Sequence, residues 1–77
     1  MKTEKEILIE IGLRLKMLRI KGGFTSYEHF AIEHELSRMH YWKIEKGLAN
    51  ITIRTLTNLL HIHNYTIEDF FALSITE

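Results

Sequence analysis

Cysteine and proline are both absent from this 77-residue sequence, and each absence removes a class of protein. Without cysteine there is no disulfide framework and no thiolate metal site, the staples on which small secreted domains commonly depend. Without proline, nothing forces a break in helical hydrogen bonding along the chain. A long apolar run is missing as well: Lys2, Glu4, Lys5, Glu6 and Glu10 interrupt the N-terminal region, which leaves neither a signal peptide nor a membrane span. The location expected is the cytoplasm, with no membrane partner. Net charge is zero, whereas a strongly nucleic-acid-binding domain commonly has a pI above about 9. With 45% hydrophobic residues the chain can build one modest core, but it has no room for a cleft between two domains, which weighs against an elaborate enzyme.

What is present is unevenly placed. Arg14, Lys16, Arg19 and Lys21 make residues 11–22 basic, and Arg38, Lys43, Lys46 and Arg54, with Glu45 the only acid among them, make residues 36–54 basic. Acidic stretches flank both. Two such blocks brought to one face would give a neutral chain a positive footprint; left apart, they are ordinary solvated charge.

The pattern along the chain is helix after short helix, and the expected spans are about 3–21, 26–33, 37–46, 52–62 and 66–73, within one domain covering residues 1–77. The first is acidic at its start and basic at its end, as the helix dipole favours, and Ile11, Leu15 and Leu18 give it an apolar stripe. Gly22 and Gly23 stop it. Thr25 with Glu28 offers a capping box for the second helix, beside the hydroxyl of Ser26, and Tyr27, Phe30, Ala31 and His34 form its stripe. Ser37 caps the third helix, between Leu36 and Tyr41 placed as a hydrophobic staple, and Gly47 ends it. "NITIRTL" at 50–56 and "NYTIEDF" at 64–70 echo one another: Thr52 and Thr66 serve as caps, and Ile51 with Leu56, or Tyr65 with Phe70, as staples. No stretch alternates with a period of two, so the fold class is all-α, a compact five-helix arrangement.

The stretch "LSRMHYWKIEKG" at 36–47 carries the chemistry. At about 100° per residue, Tyr41 and Ile44 fall together on one side of the helix, and Arg38, Met39, Trp42, Lys43 and Lys46 on the other. Outward faces usually shed Met and Trp. Such an arc suits a helix that reads a major groove: fork donors for guanine, apolar atoms for thymine methyls and ammonium groups for phosphates.

The run from Ile11 to Phe71 resembles the phage repressor and Cro-like helix-turn-helix family. The likeness is carried by "IGLRLKMLR" at 11–19, "FA" at 30–31, "LS" at 36–37, "KIEKG" at 43–47 and "TIRTLTNLL" at 52–60, in that order and spacing. It implies a lambda-repressor-like fold and a double-stranded DNA partner, with residues 37–46 as recognition helix. It assigns base reading to Arg38, Met39 and Lys43, with Trp42 beside them, and backbone contact to Ser26, Tyr27, Lys46, Asn50 and Arg54. It also implies a structural ion pair between Arg19 and Glu45. The chain departs from the family pattern at four places. One extra residue lies between Phe24 and Ala31; Glu35 stands where glycine is common in the turn; His34 replaces an aliphatic residue; and Met39 and Trp42 replace the usual polar base readers.

Other chemistries find less support. Ser26, Ser37 and Ser74 have cap or terminal explanations, and no glycine-rich phosphate loop or spaced carboxylate pair is present, so no enzyme and no cofactor are expected. His61 and His63, two residues apart, fall on different faces of a helix, and no third ligand is placed, so no metal is expected. Surplus apolar residues near the two ends, Ile7, Leu8, Ile9 and Met17 with Phe70, Phe71, Leu73 and Ile75, point to a homodimer, the two-fold protein that a palindromic operator calls for. The alternative is a protein-interaction module, such as the antitoxin half of a toxin and antitoxin pair, in which those residues meet a protein partner.

Overall fold

The computed structural model describes residues 1–75; Thr76 and Glu77, the end of the expected 1–77 domain, lie outside the described residues. Five α-helices follow one another: α1 Glu4–Lys21, α2 Tyr27–Glu33, α3 Arg38–Glu45, α4 Ile53–His63 and α5 Ile67–Ala72. The all-α, five-helix expectation holds, and the bounds differ from those expected by a residue at most ends, chiefly because the caps themselves lie outside the helices.

Each helix begins on a hydroxyl. Thr3, Ser26, Ser37, Thr52 and Thr66 all sit in extended backbone, and each accepts from the backbone N–H three residues ahead. At α1 this becomes a full capping box, because the Glu6 carboxylate in turn accepts from the Thr3 N–H at 3.0 Å. The box expected of Thr25 and Glu28 does not form. The cap moves one residue on, to Ser26, whose Oγ accepts from the His29 N–H at 3.2 Å. Three residues after Ser26 comes a histidine rather than a glutamate, so the reciprocal half has no carboxylate to supply it.

The first four helices end alike. Phe24, Leu36, Leu48 and Tyr65 each donate an N–H to the carbonyl five residues back, on Arg19, Ala31, Lys43 and Leu60. The residue before each is left-handed, with φ of +97° at Gly23, +56° at Glu35, +73° at Gly47 and +57° at Asn64. This is the Schellman arrangement, which satisfies the last carbonyls and places an apolar residue just past the helix.

The core takes the expected Ile11, Leu15 and Leu18 of α1, Phe30 and Ala31 of α2 and Tyr41 and Ile44 of α3, with the staple residues Leu56 and Phe70, and adds Leu59 and Leu60 of α4. Tyr27 and His34 only lean on it, half-buried. Phe70, counted among the surplus apolar residues, is fully enclosed and belongs to the core rather than the surface. A glycine sets the central contact. A Cβ on Gly12 would lie 2.4 Å from the carbonyl oxygen of Glu45 and 2.6 Å from that of Ile44. The backbones of α1 and α3 therefore touch, at a distance that only a missing side chain permits. The far end of the chain is fixed to α1 by Arg14, whose Nε donates to the Leu73 carbonyl at 3.2 Å while its guanidinium lies 5.7 Å from the Phe71 ring centroid.

Candidate nucleic-acid interface

The local sequence of α3 decides what it can present. Ser37 holds its N-terminus through the His40 N–H, and Tyr41, Ile44 and Glu45 turn inward and are buried. Their burial leaves Arg38, Met39, Lys43 and Lys46 exposed, with Trp42 half-buried among them. Met39 is 64% exposed. His40, also exposed, lies toward α4, where it shares a small hollow with Thr55 and Leu59. Arg54, in the first turn of α4, and Asn50, in the loop before it, are exposed, whereas Ser26 and Tyr27 at the start of α2 are half-buried. Among the described residues, no ion pair engages Arg38, Lys43, Lys46 or Arg54.

The two basic stretches do not contribute equally to such a face. Arg14 and Arg19, half of the first, are engaged internally, Arg14 by Glu10, the Leu73 carbonyl and the Phe71 ring, and Arg19 by Glu45. All four cations of the second stretch are exposed, whereas of the first only Lys16 and Lys21 are.

Arg19 and Glu45 form the anchor beneath α3. Arg19 Nε lies 2.7 Å and Nη2 3.2 Å from the two carboxylate oxygens, and Nη1 donates to the Phe24 carbonyl at 2.8 Å. Both side chains are about 95% enclosed, at 5% and 6% relative exposure. One guanidinium thus ties α1, the loop to α2 and the end of α3 together. Burial works against the Arg19 charge, but the hydrogen bonds and charge of Glu45 outweigh it and hold the guanidinium protonated. The neighbouring Tyr41 hydroxyl is buried with no hydrogen-bond partner among the described residues, and burial, reinforced by the Glu45 carboxylate, keeps the phenol neutral far above its ordinary range. The Phe24 carbonyl and Gly12 belong to this anchor too, although neither was singled out in the sequence. Phe24 carries only a backbone role here, and a glycine inside a helical pattern reads as a propensity cost until its neighbour is known.

A short helix ending in a left-handed turn, a second helix packed against it, and a cationic outward face on that second helix define a helix-turn-helix protein. The comparisons agree with that class. The chain is 34% identical over 59 residues to the plasmid copy control protein CopR of Streptococcus agalactiae, a stretch covering 77% of this chain and 63% of CopR, just under two thirds of its length. It is 31% identical over 67 residues to the control protein C.MunI of Mycoplasma sp, covering 87% of this chain and 90% of C.MunI. The chain belongs to the family of that control protein, and both relatives are named for control rather than for catalysis. No family model matches the chain, and no solved structure matches it.

Among the described residues, no helix is long and apolar enough to cross a membrane.

Proposed function

We propose that this protein is a small sequence-specific double-stranded DNA-binding regulator of transcription that lays α3 in the major groove. The observation that carries the reading is the outward face of α3, where Arg38, Lys43 and Lys46 surround exposed Met39 on a helix held from beneath by a buried ion pair. Arg38, Met39, Trp42 and Lys43 face base edges; Ser26, Tyr27, Lys46, Asn50 and Arg54 meet the sugar-phosphate backbone. The relatives' names, copy control and control protein, support a regulator. It works in the cytoplasm, where its DNA is.

The protein acts as a homodimer. An apolar groove of about 430 Å³ runs between α1, α4 and α5, lined by Ile7, Leu8, Ile51, Ile53, Ile67 and Phe71. Of these, Ile53 is 70% exposed and Phe71 44%, and a surface of this kind is where a second copy gains most by docking.

Selection from a pool of random duplex DNA at moderate salt, followed by sequencing, tests the reading. The expected result is an enriched inverted repeat whose half-site centres lie about 10 base pairs, or a whole number of turns, apart. Retention without enrichment would overturn it and assign the Met39 and Trp42 face to a protein partner, as in an antitoxin.

A further inference from the structure

Two imidazoles meet one buried ring at the back of the helix-turn-helix unit. Phe30 of α2 is almost completely enclosed. His63, the last residue of α4, lies parallel to it, with centroids 5.3 Å and planes 5° apart. His34, the C-cap of α2, approaches the same ring at 4.6 Å. Phe24 sets its edge against both Phe30 and His34, at 5.3 and 5.6 Å. Phe30 also reaches Tyr41 of α3 at 5.1 Å, so this ring connects α4 to the recognition helix. Phe24, Phe30, His34 and His63, with Leu18, Ile62 and Tyr65, wall a cavity of about 350 Å³.

The Nε2 atom of His63 is buried with no hydrogen-bond partner among the described residues. A neutral imidazole protonated on Nδ1 offers only a lone pair there, the less costly group to leave unmatched. A second proton would turn that atom into a buried, charged donor with no acceptor among the described residues. The charged and titratable groups around it are Lys21 from α1, His34 from α2, Glu45 from α3 and Tyr65 after α4. Only Glu45 favours an imidazolium, and its carboxylate already holds Arg19.

We propose that His63, stacked on Phe30 beside His34, forms a proton-sensitive latch between α4 and the helix-turn-helix unit, closed while its ring is neutral and opened by its protonation, which loosens α3 and releases duplex DNA. The release rests on the DNA-binding reading above, while the latch itself does not. Burial, with the charge of His34 pushing the same way, holds the His63 imidazole below its ordinary range. A group depressed in the folded state contributes stability above its unfolded value, near 6.5, and that contribution is lost as the pH falls through the folded value.

The test is urea unfolding of the full chain, followed by Trp42 fluorescence and circular dichroism from pH 8 to pH 5, for wild type, H63Q, H34Q and the exposed-histidine control H61Q. H63F, which keeps the stacked ring, replaces H63Q should that variant not fold. The unfolding midpoint is expected to fall with pH in wild type and H61Q, less in H34Q, and least in H63Q or H63F. Superimposable profiles, or an H61Q profile as flat as that of H63Q, would overturn the latch. In parallel, anisotropy with a labelled mixed-sequence duplex at constant ionic strength reads the release. Protonation of exposed histidines strengthens binding to a polyanion, so a several-fold loss of affinity at low pH that H63Q abolishes supports release, and a gain overturns it. Absence of duplex binding at every pH removes the DNA-binding reading and leaves the unfolding profiles to decide the latch.

Discussion

Glu35 holds a left-handed position, φ +56°, in the turn between α2 and α3, where the equivalent positions after α1, α3 and α4 carry Gly23, Gly47 and Asn64. Glycine adopts that conformation freely and asparagine tolerates it, but a glutamate pays for its Cβ. Replacement by glycine, Glu35→Gly, is therefore expected to stabilise the protein by about 1 kcal/mol, the left-handed strain relieved less the added freedom of the unfolded chain, as measured by urea denaturation. Arg38 tests the proposed reading face at the same scale. It is exposed and engages no ion pair among the described residues, so Arg38→Ala should leave the melting temperature in place while weakening binding to a selected duplex by about 1–3 kcal/mol. Equal affinity in a titration would remove Arg38 from the surface. Glu35 was conspicuous only through the resemblance, which places a glycine at that point of the turn. The sequence could not show that Trp42 is half-buried, because a wheel gives direction on one helix and says nothing of the helix beside it.

Between elements, the contact that fixes α3 is the one where a side chain is missing. Gly12→Ala would drive a methyl group to within 2.4 Å of the Glu45 carbonyl oxygen, and neither backbone can yield without moving α3. Alanine is the better helix former by about 1 kcal/mol, so an increase in stability would show that the two backbones do not meet as described. The expected outcome is the reverse, a loss of about 1–3 kcal/mol from overpacking, together with a shift in Trp42 fluorescence as α3 is displaced. Caps and stripes were legible at this scale: Ser37, Thr52 and Thr66 each act on a backbone three residues away, and Ile11, Leu15 and Leu18 announce their face by spacing. Gly12 was not, since its reason lies more than thirty residues on, in the chain direction of α3. The cap of α2 fell one residue past the expected box, on Ser26, and nothing in the local pattern of hydroxyls distinguished it from Thr25.

For the whole molecule, the question is how a chain of zero net charge could hold a polyanion. Its charges are sorted by the fold, with Arg14 and Arg19 engaged inside and Arg38, Lys43, Lys46 and Arg54 left outside. Composition alone hides this, because it counts a guanidinium equally whether it holds a buried carboxylate or faces solvent. The apolar face formed by Ile53, Ile67 and Phe71 is the other property of the whole. Substituting a charge there, Ile53→Glu, removes an exposed side chain from no core position, so the monomer should fold as before. Sedimentation is expected to show the dimer lost, and duplex affinity should fall with it; an unchanged sedimentation coefficient would place the interface elsewhere.

The last helix gives that arrangement a further meaning. Six residues long, α5 is too short to persist alone and is held by Phe70, by the Arg14 bond to Leu73 and by its cap on Thr66. Its amides should be the first to exchange with solvent, and pairing across Phe71 and Ile67 should slow them. A protein so built is most open to proteolysis when scarce, so its lifetime would lengthen as its own concentration rises.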